Sequence, residues 1–239
     1  MRLDKLLAHS GLGTRKEVKK LMKTKIVKVN GEVVTDPKVH VEPDQDQVSV
    51  GGEPLDYQEF VYFMMNKPQG VISATEDLMH ETVLDLLEMQ DSLQEPHPVG
   101  RLDIDTEGLL ILTNDGKLTH RLLSPKKHVD KLYYAKVEGV VTEADVDAFK
   151  EGVTLDDDYH TLPADLEIVS IDEERQLSEI RLTIREGKFH QVKRMMQSVG
   201  KEVVYLKRLS MGPLELDDKL ELGTYRELTK EEIRQLKEA

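Results

Sequence analysis

Apolar positions in the first sixty residues change period part-way. Leu3, Leu6 and Leu7 recur at helical spacing, and Ser10-Gly11 with Gly13 ends that run. Thr14 with Glu17 three residues on is a capping-box pair, and Val18, Leu21 and Met22 then form the stripe of a second helix. The period next shortens. Ile26 to Val29 and Val33-Val34 flank Asn30-Gly31, two residues that accept positive φ, which predicts a hairpin. Gln47 to Val50 is a third extended piece. Gly51-Gly52-Glu53-Pro54 and the polar residues to Glu59 read as a linker.

From Phe60 the pattern is different. Phe60 to Met65 predicts an apolar strand, and Asn66-Lys67-Pro68-Gln69-Gly70 a loop. His80 to Leu87 reads as a short helix with Val83, Leu86 and Leu87 inward. Leu109 to Thr113 is a buried strand, turned by Asn114-Asp115-Gly116. Lys131 to Val141 and Leu177 to Arg185 read as strands, and between them Thr142 with Asp145 opens a helix that ends near Gly152. Val192, Met195, Met196 and Val199 give His190 to Val199 a helical stripe, and Thr229 with Glu232 caps a last helix. Strands and helices interleave irregularly, which predicts an α+β chain with a small domain over 1–58 and a larger one over 59–239. No repeat of solenoid period is present.

Charge sharpens that division. Residues 1–40 hold ten Lys or Arg against four Asp or Glu, a net of +6, which leaves −19 to the rest of a chain whose total is −13. On the second predicted helix Arg15, Lys16, Lys19, Lys20 and Lys23 fall mainly outside the apolar stripe. So basic a face repels itself unless an anion lies against it, and a basic head on an acidic body suggests a polyanion-binding module. The alternative is a merely solvated basic helix. The absence of cysteine excludes disulfides, thiolate zinc sites and cysteine nucleophiles, and fits a reducing cytoplasm. No apolar run approaches the length of a membrane span, and MRLDKLLAHSGL is too charged for a signal peptide.

The chemistry-bearing stretch runs from Val99 to Gly116. Asp103, Asp105 and Glu107 alternate, then Gly108 precedes the buried strand. This matches the first half of a calcium loop, but the position that needs a bidentate Glu holds Asn114. It also reads as a turn and cap before a strand.

Longer motifs decide more. Gly-Arg-Leu-Asp-x-x-Thr-x-Gly-Leu-Leu-x-Leu-Thr-Asn-Asp-Gly, from Gly100 to Gly116, resembles the signature of pseudouridine synthases of the ribosomal small-subunit type and their large-subunit relatives. Ser124-Pro125 and Lys131-Leu132-Tyr133 resemble the family's loop and Lys-x-Tyr strand. Glu186 to Met195 resembles its Gly-x-x-x-Gln-[Ile/Val]-[Arg/Lys]-Arg-Met motif, and Leu206-Lys207-Arg208 with Gly212 its closing motif. The first fifty residues resemble the alpha-L RNA-binding domain. The resemblance therefore spans nearly the whole chain.

What it implies is specific. The large domain should be a mixed, mainly antiparallel sheet that isomerises uridine to pseudouridine in ribosomal RNA. Asp103 is implied as the catalytic carboxylate, Lys193 as its basic partner, and Tyr133 as the ring that stacks on the target base. Asp105 and Glu107 fall at variable positions. Arg2, Arg15, Lys16, Lys19, Lys20, Arg101, Lys188, His190, Gln191, Arg194, Lys207 and Arg208 are candidate RNA contacts; those basic side chains can equally be solvated charges. His190-Gln191-Val192-Lys193 looks like the small-subunit member, which points to uridine 516 of 16S rRNA. The implied partner is small-subunit rRNA or the assembling small subunit, met by a cytoplasmic monomer. No metal or cofactor is implied, because the reaction exchanges one sugar–base bond for another. Rival readings are a non-catalytic RNA-binding assembly factor, a synthase acting on 23S rRNA, and a hydrolase using the acids. The last lacks any Gly-x-Ser-x-Gly elbow.

Overall fold

A computed structural model of the chain describes residues 1–239 except Asp44 and Asp56. The chain divides into two compact units. The first comprises Met1–Val61, Leu87–His97 and Thr113–Asp115, and the second the remainder.

In the first unit, α1 (Leu3–His9) stops at Ser10, whose Oγ donates to the Leu6 carbonyl. α2 (Arg15–Lys23) starts on the expected capping box: the Glu17 amide donates to Thr14 Oγ1, and the Thr14 amide to Glu17 Oε2. The strands β1 (Val27–Val29), β2 (Glu32–Val33), β3 (Val48–Val50) and β4 (Glu53–Pro54) form an antiparallel sheet of order β2-β1-β3-β4. Asn30 and Gly31 both adopt positive φ, 52° and 84°, as a tight hairpin requires. Leu3, Leu6, Leu7, Val18, Met22, Val27 and Val48 close one core, joined by Val41. The linker reading needs correcting at Glu53–Pro54. Gly51 and Gly52, at φ 62° and 95°, fold this piece back against β3 as a strand.

The remaining elements are β5 (Tyr62–Lys67), α3 (Met89–Ser92), β6 (His97–Pro98), β7 (Glu107–Thr113), α4 (Gly116–Leu123), β8 (Lys131–Glu138), α5 (Glu143–Glu151), β9 (Asp165–Asp172), β10 (Leu177–Ile184), α6 (Gln191–Ser198), β11 (Glu202–Met211), β12 (Leu214–Glu215), β13 (Tyr225–Glu227) and α7 (Lys230–Glu238). The large sheet runs β13-β5-β7-β11-β8-β10-β9. β13/β5, β11/β8, β8/β10 and β10/β9 pair antiparallel, while β11/β7 is parallel. This is the mixed, mainly antiparallel α+β domain expected. β5 and most of β7 are buried on both faces, which is why both read as continuous apolar runs.

Two further expectations are corrected. His80 to Leu87 is not a helix. The Thr82 amide and hydroxyl both bond Asp85 Oδ2, closing a turn, while Val83 bonds back to Ile72. Val83 and Leu87 are still buried, so the apolar spacing reported burial without helix. Asn114-Asp115-Gly116 does not simply turn the chain. α4 begins at Gly116, and Asn114 accepts from the Val61 amide and donates to the Glu59 and Gln94 carbonyls.

Candidate active site

The site is built where β5, β7 and α6 present their ends within the second unit. The loop from Leu102 to Thr106 leads into β7 and carries the alternating acids. It is held from several sides. Lys67 closes β5 with its side chain fully buried, and its Nζ donates to the carbonyls of Pro68, Asp103 and Thr106 at 2.9, 3.0 and 2.9 Å. Ser73 Oγ both donates to the Leu102 carbonyl and accepts from the Leu102 amide. The Gly70 amide donates to the Ile104 carbonyl at 2.8 Å. An ammonium spending its protons on backbone carbonyls fixes main chain rather than a carboxylate, so the acid loop cannot drift. Burial drives the Lys67 ammonium down to about 8, against the opposing charges of Asp103, Asp105 and Glu107.

Gly108 completes the entry to β7. It has φ +103°, and a Cβ there would stand 2.2 Å from the Arg208 carbonyl oxygen. Only glycine lets β7 and β11 approach at this register, where Gly108 faces Arg208.

The opposing wall is the start of α6. Lys193 Nζ lies 3.2 Å from Asp103 Oδ2 and 2.6 Å from Asp105 Oδ1, and His190 Nε2 lies 3.6 Å from Asp103 Oδ1. The side chains of Asp103 and Lys193 are 27% and 20% exposed, so the pair is reached by solvent rather than sealed in the interior. Desolvation presses the Lys193 ammonium down, but the hydrogen bond it donates to Asp105 and the charges of both acids outweigh it and hold it above its ordinary value. For Asp105, desolvation pushes up while the Lys193 hydrogen bond and charge pull further down, leaving the carboxyl below its usual range.

Behind this wall Glu186 gathers the scaffold. It accepts from Tyr159 Oη at 2.6 Å, from the Leu162 amide and from Gln191 Nε2. Gln191 Oε1 takes the Lys188 amide. His190 caps α6 in the left-handed region, φ 47°, a conformation that costs a non-glycine residue on the order of 1–3 kcal/mol. A carboxylate set against a lysine and carried on a loop bonded from several sides can act as a nucleophile or as a base.

The family model described as RNA pseudouridylate synthase matches residues 61–198. This chain belongs to the RNA pseudouridylate synthase family. Residues 1–48 match the S4 domain, in keeping with the expected RNA-binding head. An uncharacterised RNA pseudouridine synthase of Bacillus subtilis is 55% identical, covering 100% of this chain and 99% of that protein. Ribosomal large subunit pseudouridine synthase B of Bacillus subtilis is 41% identical over 99% and 95%. Ribosomal small subunit pseudouridine synthase A of Escherichia coli is 40% identical over 98% of each. A crystal structure of a pseudouridylate synthase superposes with a TM-score of 0.68 at 39% identity, covering 99% of each chain. The chain is thus an isomerase acting on RNA uridine.

Measured against this synthase site, the expected residues separate into two groups. Asp103, Lys193 and His190 come together. Arg101, Lys188, Lys16, Lys19 and Lys20 are exposed, Arg15 is exposed 3.7 Å from Glu95, and Lys207 is partly buried on β11. The second group needs correcting. Gln191 is buried and its amide is consumed by Glu186 and Lys188, so it shapes the loop instead of meeting RNA. Arg194 is taken up by Asp156 and Asp157, and Arg2 by a two-point contact with Asp4. Arg208 is 2% exposed and donates Nε to the Leu109 carbonyl, which removes it from any phosphate. Tyr133 is 7% exposed on β8, in register with Arg208 and Leu182, so it presents no open stacking face. Sequence reasoning missed Lys67, which lies in a stretch that reads as turn, and Glu186. It set aside Asp105, although alternating acids were the available signal.

Proposed function

We propose that this synthase isomerises a uridine in ribosomal RNA, with Asp103 as its catalytic carboxylate, and that the target is uridine 516 of 16S rRNA. The observation that carries the reading is the Asp103–Lys193 pair, brought to 3.2 Å from motifs far apart in the chain. In the reaction the N1–C1′ bond of uridine breaks, the base turns, and C5 joins C1′. C5 gives up its proton and N1 gains one, so the atoms balance without any co-reactant. Asp103 serves this either by bonding to C1′ or the ring, or by taking a ribose proton, with the Lys193 ammonium 3.2 Å away.

The uridine must leave its stack to reach Asp103. The head, residues 1–58, supplies affinity through Arg15, Lys16, Lys19 and Lys20, and residues 59–239 supply the chemistry. The enzyme works as a monomer in the cytoplasm on the assembling small subunit. His190 with Lys193 supports the 16S target. A second reading, a uridine of 23S rRNA, is favoured by the large-subunit relative at 41% identity.

The test is release of tritium from uracil C5 in 16S transcript, partly assembled small subunits and 23S transcript. Release from 16S material, lost in Asp103→Asn, is expected, with the pseudouridine left in the RNA mapped to position 516 by carbodiimide modification and primer extension. Release from 23S alone moves the target. No release from any of them removes the ribosomal substrate.

A further inference from the structure

Phe189 is 71% exposed, one of the largest apolar surfaces the second unit leaves in solvent. It is not a loose side chain. Its ring lies on that of His190, with centroids 3.7 Å apart and planes 19° from parallel. The left-handed backbone of His190, φ 47°, accompanies the stack. The main chain beneath is pinned: Arg194 Nη1 donates to the Phe189 carbonyl, the Arg194 amide to the His190 carbonyl, and the Gln191 amide to the Lys188 carbonyl. The edge of the His190 ring reaches the reacting group, since its Nε2 is 3.6 Å from Asp103 Oδ1. What results is a two-ring stack whose inner ring touches the acid by its edge and whose outer ring, Phe189, is open to solvent.

We propose that the open face of Phe189 is a stacking platform for an unpaired RNA base beside the target uridine. The proposal rests on the RNA-isomerase reading above. A rigid aromatic face beside a catalytic groove suits a nucleobase because every base has a π face and the platform loses no freedom on binding. The charges agree. Lys188, next to Phe189 in the chain, is exposed with its ammonium 4.1 Å from the Tyr159 ring, so a phosphate of the strand that stacks here meets a cation. Everting one nucleotide breaks its stack with the next. A surface for that neighbour recovers part of the loss, and it lets the enzyme sense the base adjoining its target.

The test uses the full chain and the rRNA transcript it modifies, 16S first and 23S if only that releases tritium. Phe189→Ala, Phe189→Leu and Phe189→Tyr are compared with the native enzyme. 2-Aminopurine is placed in turn at the two nucleotides on either side of the target. Phe189→Ala and Phe189→Leu are expected to raise KM about tenfold, within the roughly 5- to 150-fold that one stacked base is worth. Phe189→Tyr should restore it. 2-Aminopurine at one flanking position should be quenched by the native and Tyr enzymes and not by the Leu enzyme. Leu as good as Phe, in both KM and quenching, overturns the platform while leaving the reaction intact. No tritium release by native enzyme from either rRNA overturns the ribosomal reading and the platform with it.

Discussion

Lys193 lies closer to Asp105, at 2.6 Å, than to Asp103, at 3.2 Å. One cation therefore serves two carboxylates, and the tighter partner is the residue that the family signature leaves variable. If Asp103 reacts and Asp105 only shares the lysine, the two substitutions separate. Asp103→Asn should lower tritium release at saturating RNA by about 10³-fold or more, the scale of a lost acid–base or nucleophilic group. Asp105→Asn should stay within roughly tenfold of native, since removing a competing charge leaves Lys193 to Asp103 alone. Lys193→Arg should keep much of the activity and Lys193→Ala little. The stability cost of Lys193→Ala should fall below the about 3–5 kcal/mol of a fully buried broken pair, because both groups reach solvent. Equal damage from Asp105→Asn and Asp103→Asn would sink the division of roles.

Lys67 ties function to stability through its titration. With the folded ammonium lowered to about 8 from the ordinary 10.5, folded and unfolded chains both carry the proton below pH 8. Between about 8 and 10.5 only the unfolded chain does, so unfolding takes up a proton and stability rises with pH across that window. Lys67→Met should make this rise in urea-unfolding free energy, measured from pH 7.5 to 10, shallower by one proton, leaving the share of Lys131, which burial also lowers to about 8. It should also lower stability at pH 7.5 by about 2–4 kcal/mol, because three carbonyls lose a charged donor. An unchanged pH slope in the variant would show that Lys67 keeps an ordinary affinity for its proton.

Gly108 carries the tightest constraint in the signature. An alanine there meets the Arg208 carbonyl at 2.2 Å with φ at +103°, so overpacking and backbone strain add. Gly108→Ala should cost at least about 3 kcal/mol, a fall of roughly 6–12 °C in Tm for a chain of this size. Activity should fall with it, since β7 aims the acid loop. A native Tm by calorimetry would mean that β7 and β11 part without penalty.

The elements legible in the sequence are those with local punctuation. Thr14–Glu17, Thr142–Asp145 and Thr229–Glu232 mark helix starts with side chains that bond the backbone nearby, and Asn30-Gly31 marks a hairpin the same way. β9 exposes most of its length and offers few apolar positions to read, and β11 loses its alternation at irregularities near Val203 and Arg208. The site is legible where a long motif fixes residue identity. It is not legible where identity says nothing about environment. Arg194 and Arg208 look like surface cations in sequence, yet one is occupied by the Asp156–Asp157 turn and the other lies inside the sheet. Lys67 looks like loop polarity because nothing local announces three carbonyls brought from elsewhere in the chain.

The basic helix α2 makes the remaining prediction. Lys16, Lys19 and Lys20 are exposed on it, while Val18 and Met22 turn into the head's own core. Replacing the three lysines by alanine should therefore leave folding intact and act on RNA alone. Each phosphate that is no longer neutralised takes about 0.7–0.9 off the slope of log affinity against log salt, so the triple variant should lose on the order of 2 to 3 in that slope. KM at low salt should rise steeply while turnover at saturating RNA holds, because the lysines lie far along the chain from Asp103 and contribute charge rather than chemistry. A salt slope equal to that of the native enzyme would mean that this face stays solvated when RNA is bound, and that affinity comes from the catalytic unit.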